Sequence, residues 1–189
     1  MRRAAWLLLV ILLCFFPRYA GAEDVPVPIG LQAELLTKVA GYDRNLTARA
    51  GDRVRVLLLQ KPGDADSARV ATQMQSALAQ IPTIAGLPHD DAVVAWKGAQ
   101  ALVDAIKTQH VAIVFFTPGF SDDLDAIRNA LSGVDVLSAA AAPGYVPRGI
   151  VLGFDLVGGK PKLLVHIEQA AKQNVAFRAE VLKMMKVYP

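Results

Sequence analysis

The sequence predicts an α/β domain with a mostly parallel central sheet flanked by helices, a C-terminal β-hairpin and two terminal helices. Between residues 31 and 138, short apolar runs alternate with segments of helical periodicity, which is typical of parallel strands joined by helices. The run at 54–59 is nearly continuous in apolar residues, as in a strand buried on both faces of its sheet. Further along, two more apolar runs flank Gly158-Gly159, a pair typical of a hairpin turn.

The N-terminal elements follow from apolar spacing and from capping residues. Residues 23–30 contain two prolines and no helical pattern, so we expect an extended leader there. Apolar residues then recur at helical spacing and predict an amphipathic first helix over 30–47. After the strand at 54–59, Asp66 or Ser67 is placed to cap a helix that runs to about residue 80.

The remaining elements are defined by apolar runs and by the turn residues between them. The run at 111–116 is the strongest candidate for a central strand, and Thr117-Pro118-Gly119 ends it before a helix opened by Ser121. The other predicted elements are strands at 92–96, 134–138, 150–157 and 162–167, and helices at 98–108, 167–174 and 176–186. The final segment is rich in Leu, Met and Val; it can pack inward or form a homodimer seam, and core packing is favoured.

Residues 1–22 have the three-part layout of a secretory signal peptide. Two arginines precede an apolar run at 6–16, and a short tail ends in Ala20-Gly21-Ala22, which supplies the small residues of a cleavage site. The apolar run is shorter than the roughly 20 residues that a membrane span needs, so cleavage after Ala22 is favoured over an uncleaved anchor. We therefore expect a periplasmic protein with a single domain at 31–189 and no membrane span after cleavage.

The same segment carries the chain's excess positive charge and its only cysteine. The whole chain has a net charge of +3, and the three unbalanced cations, Arg2, Arg3 and Arg18, leave with the segment, as does Cys14. The expected mature domain is therefore neutral and without a thiol. Its composition gives no support for nucleic-acid binding, for a cysteine metal site or for disulfide chemistry.

The motifs of catalysis, cofactor binding and metal binding are missing, and we expect none of these functions. There is no nucleophile elbow, and the loop at 61–64 has one glycine and acidic neighbours where a dinucleotide fingerprint needs more glycines. His89 lies beside Asp90 and Asp91, and a metal-binding interpretation of the three is disfavoured because adjacent loop carboxylates are usually only solvated. His110 and His166 are interpreted as packed or hydrogen-bonded structural residues. An exported hydrolase is disfavoured because these motifs are missing, and a Ser–His–Asp triad would be recognised only from the three-dimensional structure.

Two loops carry the residue types of a recognition surface. Thr117 and Phe120 lie after the predicted strand at 111–116, where backbone N–H groups before a helix are suited to an anion or a carboxylate. Tyr145 and Arg148 lie in a loop framed by glycine and proline, and an aromatic residue with an arginine is typical of interfaces. Each loop also has a purely structural interpretation, the first as a strand-to-helix turn and the second as the start of the hairpin.

The second of these loops and the segments after it resemble the YfiR/HmsC family of periplasmic regulators. The resemblance is carried by RGIVLGF at 148–154, by the strand at 162–167 and by the two helical segments that follow. The predicted first helix and the strand at 54–59 fit the family's order of elements, so the resemblance extends over most of residues 31–188. The chain departs from the family members that use cysteine pairs for redox control, because its domain has no cysteine.

The resemblance implies a protein that binds a partner and catalyses nothing. Family members inhibit a membrane-bound diguanylate cyclase by binding its periplasmic sensor region, which lowers cyclic-di-GMP output and biofilm formation. The expected partner is thus an inner-membrane sensor with a periplasmic domain, and the candidate partner or ligand surface consists of Tyr145, Arg148, Thr117 and Phe120. The alternative is a periplasmic small-solute-binding protein of a transporter or a sensor kinase, with its site in the loops at the carboxyl ends of the strands.

Overall fold

A seven-stranded sheet forms the centre of the protein in a computed structural model that describes residues 23–189. The strands are β1 (Val54–Gln60), β2 (His89–Ala95), β3 (Ile113–Phe116), β4 (Leu137–Ala140), β5 (Leu152–Val157), β6 (Lys160–His166) and β7 (Lys186–Tyr188). Their order is β2-β1-β3-β4-β5-β6-β7, and every neighbouring pair is parallel except the antiparallel hairpin β5–β6. The predicted α/β class, mostly parallel sheet and C-terminal hairpin are confirmed.

Helices cover both faces of this sheet. They are α1 (Ile29–Ala40), α2 (Leu46–Ala50), α3 (Ala65–Leu78), α4 (Ala99–Gln109), α5 (Leu124–Leu131), α6 (Ile167–Lys172) and α7 (Ala179–Leu182), with a 3-10 helix at Pro143–Arg148. Within residues 23–189, no helix is long and apolar enough to cross a bilayer. The signal-peptide prediction concerns residues 1–22 and lies outside the described residues.

Alternating side chains of β1 build the two layers of the core. Val56 and Leu58 belong to the cluster that includes α1 and α3, whereas Leu57 and Leu59 belong to the cluster under α4 and α5. The near-continuous apolar run of this strand is therefore explained by burial on both faces. Since β1, β3 and β4 are parallel, their C-terminal ends meet at one edge of the sheet, called the carboxyl edge below, and their N-terminal ends meet at the amino edge.

The predicted first helix at 30–47 is divided in two, which corrects the sequence prediction. α1 ends at Ala40 and α2 begins at Leu46, and between them Asp43 forms an isolated β-bridge with Phe177. The Asp43 carboxylate accepts hydrogen bonds from the backbone N–H groups of Asn45, at 3.1 Å, and Ala176, at 2.9 Å. The helical spacing continues through this turn, but contacts with the C-terminal segment hold the turn open.

The predicted helix at 176–186 is wrong over most of its length. α7 has four residues, and the chain then forms β7, which places Val187 in register with Val165 of β6. Val181 and Met185 are buried in the core, while Met184 and Val187 are exposed. Apolar spacing in so short a segment fits a helix as well as a strand, and pairing with the free edge of β6 decides the outcome.

Other strand and helix boundaries differ from their predicted positions by a few residues. β2 begins at His89 and β4 at Leu137, each three residues from its predicted start. The loop predicted around Tyr145 is ordered as a 3-10 helix with Pro147 inside it. Helix and strand ends depend on tertiary contacts, so shifts of this size do not change the fold class.

A buried ion pair closes the amino edge. Arg49 Nη1 lies 2.9 Å from Asp43 Oδ2, and the two side chains are 3% and 0% exposed. Arg49 also donates to the carboxylate of Asp135 and, at 3.0 Å, to the carbonyl of Asn174. These four residues, called the amino-edge cluster below, connect the start of the domain to its C-terminal part.

Candidate functional site

The candidate site lies at the carboxyl edge, where the loops after β1, β3 and β4 meet. Thr117 immediately follows β3, and the 3-10 helix that carries Tyr145 and Arg148 follows β4. The structure therefore brings the four predicted site residues into one group of loops. In open α/β sheets this edge is the usual position of a binding site.

Thr117 fixes the loop after β3 to the end of β1. It is fully buried, and its hydroxyl donates to the carbonyl of Leu59 at 2.6 Å. Since that bond uses its only proton, Thr117 accepts the hydrogen bond that joins it to the Ser67 hydroxyl at 2.5 Å. Ser67 in turn accepts from the Lys61 N–H at 2.7 Å. Thr117 is therefore a rigid support of the site and is not accessible to a partner.

Phe120 anchors the same loop in the core beneath the site. It is fully buried, and its ring packs edge-on against Phe116 and Trp96, with centroids 5.5 Å and 5.4 Å away. Aromatic pairs of this geometry add stabilisation beyond simple burial. With the side chain held in this way, the backbone N–H of Phe120 donates to the Tyr145 hydroxyl at 2.8 Å.

Tyr145 links the 3-10 helix to the loop and to the N-terminal leader. Its side chain is 2% exposed, and its hydroxyl accepts from Phe120 and donates to the carboxylate of Glu23. Burial and the hydrogen bond to Glu23 raise the pKa of the Tyr145 phenol well above its ordinary value. The phenol therefore stays protonated and is a permanent donor at any physiological pH.

Glu23 is the site residue that sequence reasoning missed. Its Oε2 accepts from the Gly119 N–H at 2.8 Å, and its Oε1 accepts from the Ser121 N–H at 3.3 Å. The leader was predicted only as an extended segment, and no local pattern couples it to a loop 96 residues away. The one available signal was the expectation that the N–H groups of the 117–121 loop suit a carboxylate.

Gly119 has no substitute in this arrangement. Its φ is +97°, a backbone conformation that side chains disfavour. A Cβ there would lie 2.7 Å from Asp64 Oδ2 and 3.2 Å from Lys61 Cβ. Close approach of the loop after β1 to the loop after β3 therefore requires glycine at this position.

Arg148 is the accessible member of the predicted group, with a side chain that is 42% exposed. It donates to the Ser121 carbonyl at 2.7 Å and lies 3.6 Å from the Asp125 carboxylate. The nearby Lys61 ammonium is paired with Asp123, which also accepts from the Trp96 indole at 3.2 Å. Arg148 thus presents a positioned cation on the surface above the buried Tyr145 and Phe120.

An open groove of about 550 Å³ lies beside these loops. Its polar lining is mainly acidic, with Glu23, Asp64, Asp66 and Asp122 against the single cation Lys61. In this groove the carboxylate of Glu23 occupies the backbone donors, and the remaining carboxylates make a negative rim. The groove therefore combines a local anion site with acidic surroundings.

The three histidines have structural positions. Both ring nitrogens of His89 are engaged, by Asp91 at 2.5 Å and by the Ile81 carbonyl at 2.7 Å. His166 caps α6 by accepting from the Gln169 N–H at 3.3 Å. His110 ends α4 in a left-handed conformation and is exposed. Of the two interpretations, packed or hydrogen-bonded, the structure therefore contradicts the packed one. In the described part of the chain, no three His, Cys, Asp or Glu residues are grouped to hold a metal ion.

The fold defines a class of proteins, α/β domains whose mostly parallel sheet carries its loops and a groove at the carboxyl edge. Within that class, the chain belongs to the YfiR/HmsC-like family, whose model matches residues 31–186. The predicted family is therefore confirmed over nearly all of the domain. The family fits a periplasmic regulator of cyclic-di-GMP signalling in general, and its members are generally non-enzymatic.

Solved structures share the fold at low sequence identity. A conserved domain protein from Vibrio cholerae O1 biovar eltor matches with a TM-score of 0.60 at 13% identity. An ABC domain from Streptococcus pneumonia in complex with L-Trp matches with a TM-score of 0.59 at 11% identity. Each match covers 86% of this chain and 60% of the other. None of the curated proteins compared with the chain matches it.

Proposed function

We propose that the protein is an exported, non-enzymatic regulator that binds the periplasmic sensor region of an inner-membrane diguanylate cyclase and restrains its activity. The observation that carries this proposal is membership of the YfiR/HmsC-like family over residues 31–186. The three-part pattern of residues 1–22 supports export to the periplasm. The mechanism is a population shift, in which the regulator binds one conformation of the sensor more tightly than the other.

The surface around Arg148 is the proposed contact with the sensor. Its guanidinium is exposed and is held in place by the Ser121 carbonyl. Arginine is enriched at the energetic centres of protein interfaces because it combines charge, several donors and a flat surface. Tyr145 and Phe120 lie beneath it and keep the two loops in a fixed relation, which limits the ordering cost of binding.

The first prediction is that Arg148→Glu weakens binding to the sensor by at least about tenfold, or about 1.4 kcal/mol. The matched control is Arg178→Glu, the same charge reversal at an exposed residue on the opposite edge of the sheet. The measurement is the cyclic-di-GMP level in a deletion strain complemented with each variant, together with membrane pull-down of the sensor. We expect the level to rise on deletion, to return to normal with Arg178→Glu, and to stay high with Arg148→Glu.

Two outcomes would count against the proposal in different ways. A deletion strain with unchanged cyclic-di-GMP would contradict the regulatory function itself. Full complementation by Arg148→Glu would leave the function intact and remove the proposed surface.

A second candidate function is reception of a small solute at the carboxyl edge. The observation that favours it is the groove there, in which backbone N–H groups already hold a carboxylate. The fold is also shared with an ABC domain described in complex with L-Trp. A receptor of this kind would pass the presence of its ligand to a transporter or a sensor kinase.

A further inference from the structure

Three donors reach one carboxylate at the carboxyl edge, and a fourth donor holds one of these three in place. The backbone N–H groups of Gly119, Phe120 and Ser121 are successive, and the Tyr145 hydroxyl completes the set; Gly119–Ser121 is called the nest below. Gly119, Ser121 and the Tyr145 hydroxyl donate hydrogen bonds directly to the Glu23 carboxylate, while the Phe120 N–H donates to the Tyr145 oxygen. Successive N–H groups of this kind form a concave site for an anion.

The nest is preorganised by contacts that do not involve Glu23. Thr117 is bonded to Leu59 and Ser67 beneath it, and the Phe120 ring is fixed in the core. Tyr145 is itself buried and accepts from Phe120. The donors therefore keep their positions when the carboxylate leaves, which is the condition for binding another anion at low ordering cost.

The charges around the nest select the kind of anion. Asp64, Asp66 and Asp122 line the adjoining groove, with Lys61 as its cation, and Lys61 is paired with Asp123. A doubly charged phosphate would be repelled by these carboxylates more strongly than a singly charged group. The planar carboxylate with two acceptor oxygens that the nest already holds is the better fit.

The leader is attached so that Glu23 is free to leave while the domain stays folded. Val27 is fully buried, and its carbonyl accepts from Gln32 Nε2 at 2.9 Å. Only the few residues before Val27 need to move for Glu23 to swing out of the nest. A short tether of this kind gives its end group an effective concentration on the order of millimolar, so Glu23 competes measurably with a free ligand.

We propose that the nest is a binding site for a small, singly charged carboxylate ligand, and that Glu23 regulates the site by competing for it. This proposal specifies the ligand class of the proposed solute receptor and the way in which its site is regulated, so it rests on the second candidate function. It is independent of cyclase restraint, which the cyclic-di-GMP assay tests separately.

In the experiment, the full chain is titrated with sodium acetate, and the amide NMR signals of the nest are used to detect binding. Glu23→Ala removes the competing carboxylate, and Asp24→Ala is the matched control, because it removes the same charge from the exposed neighbouring residue. We expect acetate to shift the amide signals of the nest in Glu23→Ala at a concentration at least tenfold lower than in the unmodified chain. Asp24→Ala should titrate like the unmodified chain, and inorganic phosphate should bind Glu23→Ala more weakly than acetate does.

Three results would overturn the proposal. The first is that acetate leaves the nest signals of Glu23→Ala unshifted. The second is that acetate titrates Glu23→Ala and the unmodified chain at the same concentration, and the third is that phosphate binds Glu23→Ala as tightly as acetate or more tightly. Dispersion of the remaining amide signals reports in the same spectra that the variant is folded. None of these results bears on cyclic-di-GMP levels, so failure here leaves the cyclase proposal standing.

Discussion

At the scale of single residues, Tyr145 shows how burial turns a side chain into a fixed donor. Its phenol is almost completely covered and lies against a carboxylate, and both features disfavour the phenolate. A raised pKa in the folded state means that folding favours the protonated form. The stability that this provides is fully present below the ordinary tyrosine pKa and declines as the pH rises above it.

Tyr145→Phe tests the sign of this pH dependence, because it removes the titrating group. We expect the unmodified chain to lose more stability than Tyr145→Phe between pH 9 and pH 11, values chosen to bracket a tyrosine pKa of about 10. At pH 7 the variant should be less stable by about 1–3 kcal/mol, because the buried Phe120 N–H loses its acceptor. Urea unfolding at each pH measures both effects.

Tyr42→Phe is the matched control for this measurement, because Tyr42 is 39% exposed. It should follow the pH dependence of the unmodified chain. Parallel curves for the unmodified chain and Tyr145→Phe would show that the Tyr145 phenol is not held protonated by folding.

At the scale of elements, α6 begins with a titrating cap. His166 accepts from the Gln169 N–H through Nδ1, which requires that nitrogen to be unprotonated. Burial lowers the pKa of His166, and the charges of Lys172 and Arg128 act in the same direction against the opposing effect of Glu168. A lowered pKa in the folded state means that its contribution is present above the ordinary histidine pKa and is lost as the pH falls.

We expect His166→Asn to flatten the loss of stability between pH 7 and pH 5, a window around the ordinary histidine pKa of about 6.5. Asparagine keeps a cap acceptor and does not titrate. His110→Asn is the control, because His110 is exposed at a left-handed helix end that asparagine tolerates. Urea midpoints at the two pH values measure the effect, and equal slopes for His166→Asn and the unmodified chain would contradict it.

The elements also show what could be predicted from the sequence. β1 and β3 were predictable because burial on both faces leaves a continuous apolar run. β7 was not, because the apolar residues near the C-terminus fit a helix equally well and only the register with β6 distinguishes the two. In the site, the N–H groups of the 117–121 loop are suited by sequence to an anion or a carboxylate, or form a plain strand-to-helix turn. Glu23, which they hold, is joined to this loop only by the fold.

At the scale of the whole molecule, the amino-edge cluster joins the start of the domain to its C-terminal part. Asp43 and Arg49 are almost completely buried, and Arg49 reaches both Asp135 and Asn174. Removal of Asp43 leaves the buried Arg49 with only the half-exposed Asp135 as its counter-charge. A buried charge that loses its buried partner costs far more than the net contribution of the pair.

We expect Asp43→Ala to destabilise the protein by roughly 3–5 kcal/mol, because the buried Arg49 loses its buried partner. Asp135→Ala is the control: that side chain is 48% exposed, so we expect a cost of about 1 kcal/mol or less. Urea unfolding of both variants at pH 7 measures the difference. Equal costs would contradict the importance assigned to burial of the Asp43–Arg49 pair.

The position of the amino-edge cluster also sets an order of events during synthesis. Asp43 accepts from the Ala176 N–H, a partner 133 residues further along the chain, and the Arg178 N–H donates to the Tyr42 carbonyl. The turn after α1 therefore cannot form these contacts until residues 176–178 have been made. A growing chain cannot complete this part of its fold until residue 178 has been made, so the domain reaches its native state only near the end of its synthesis.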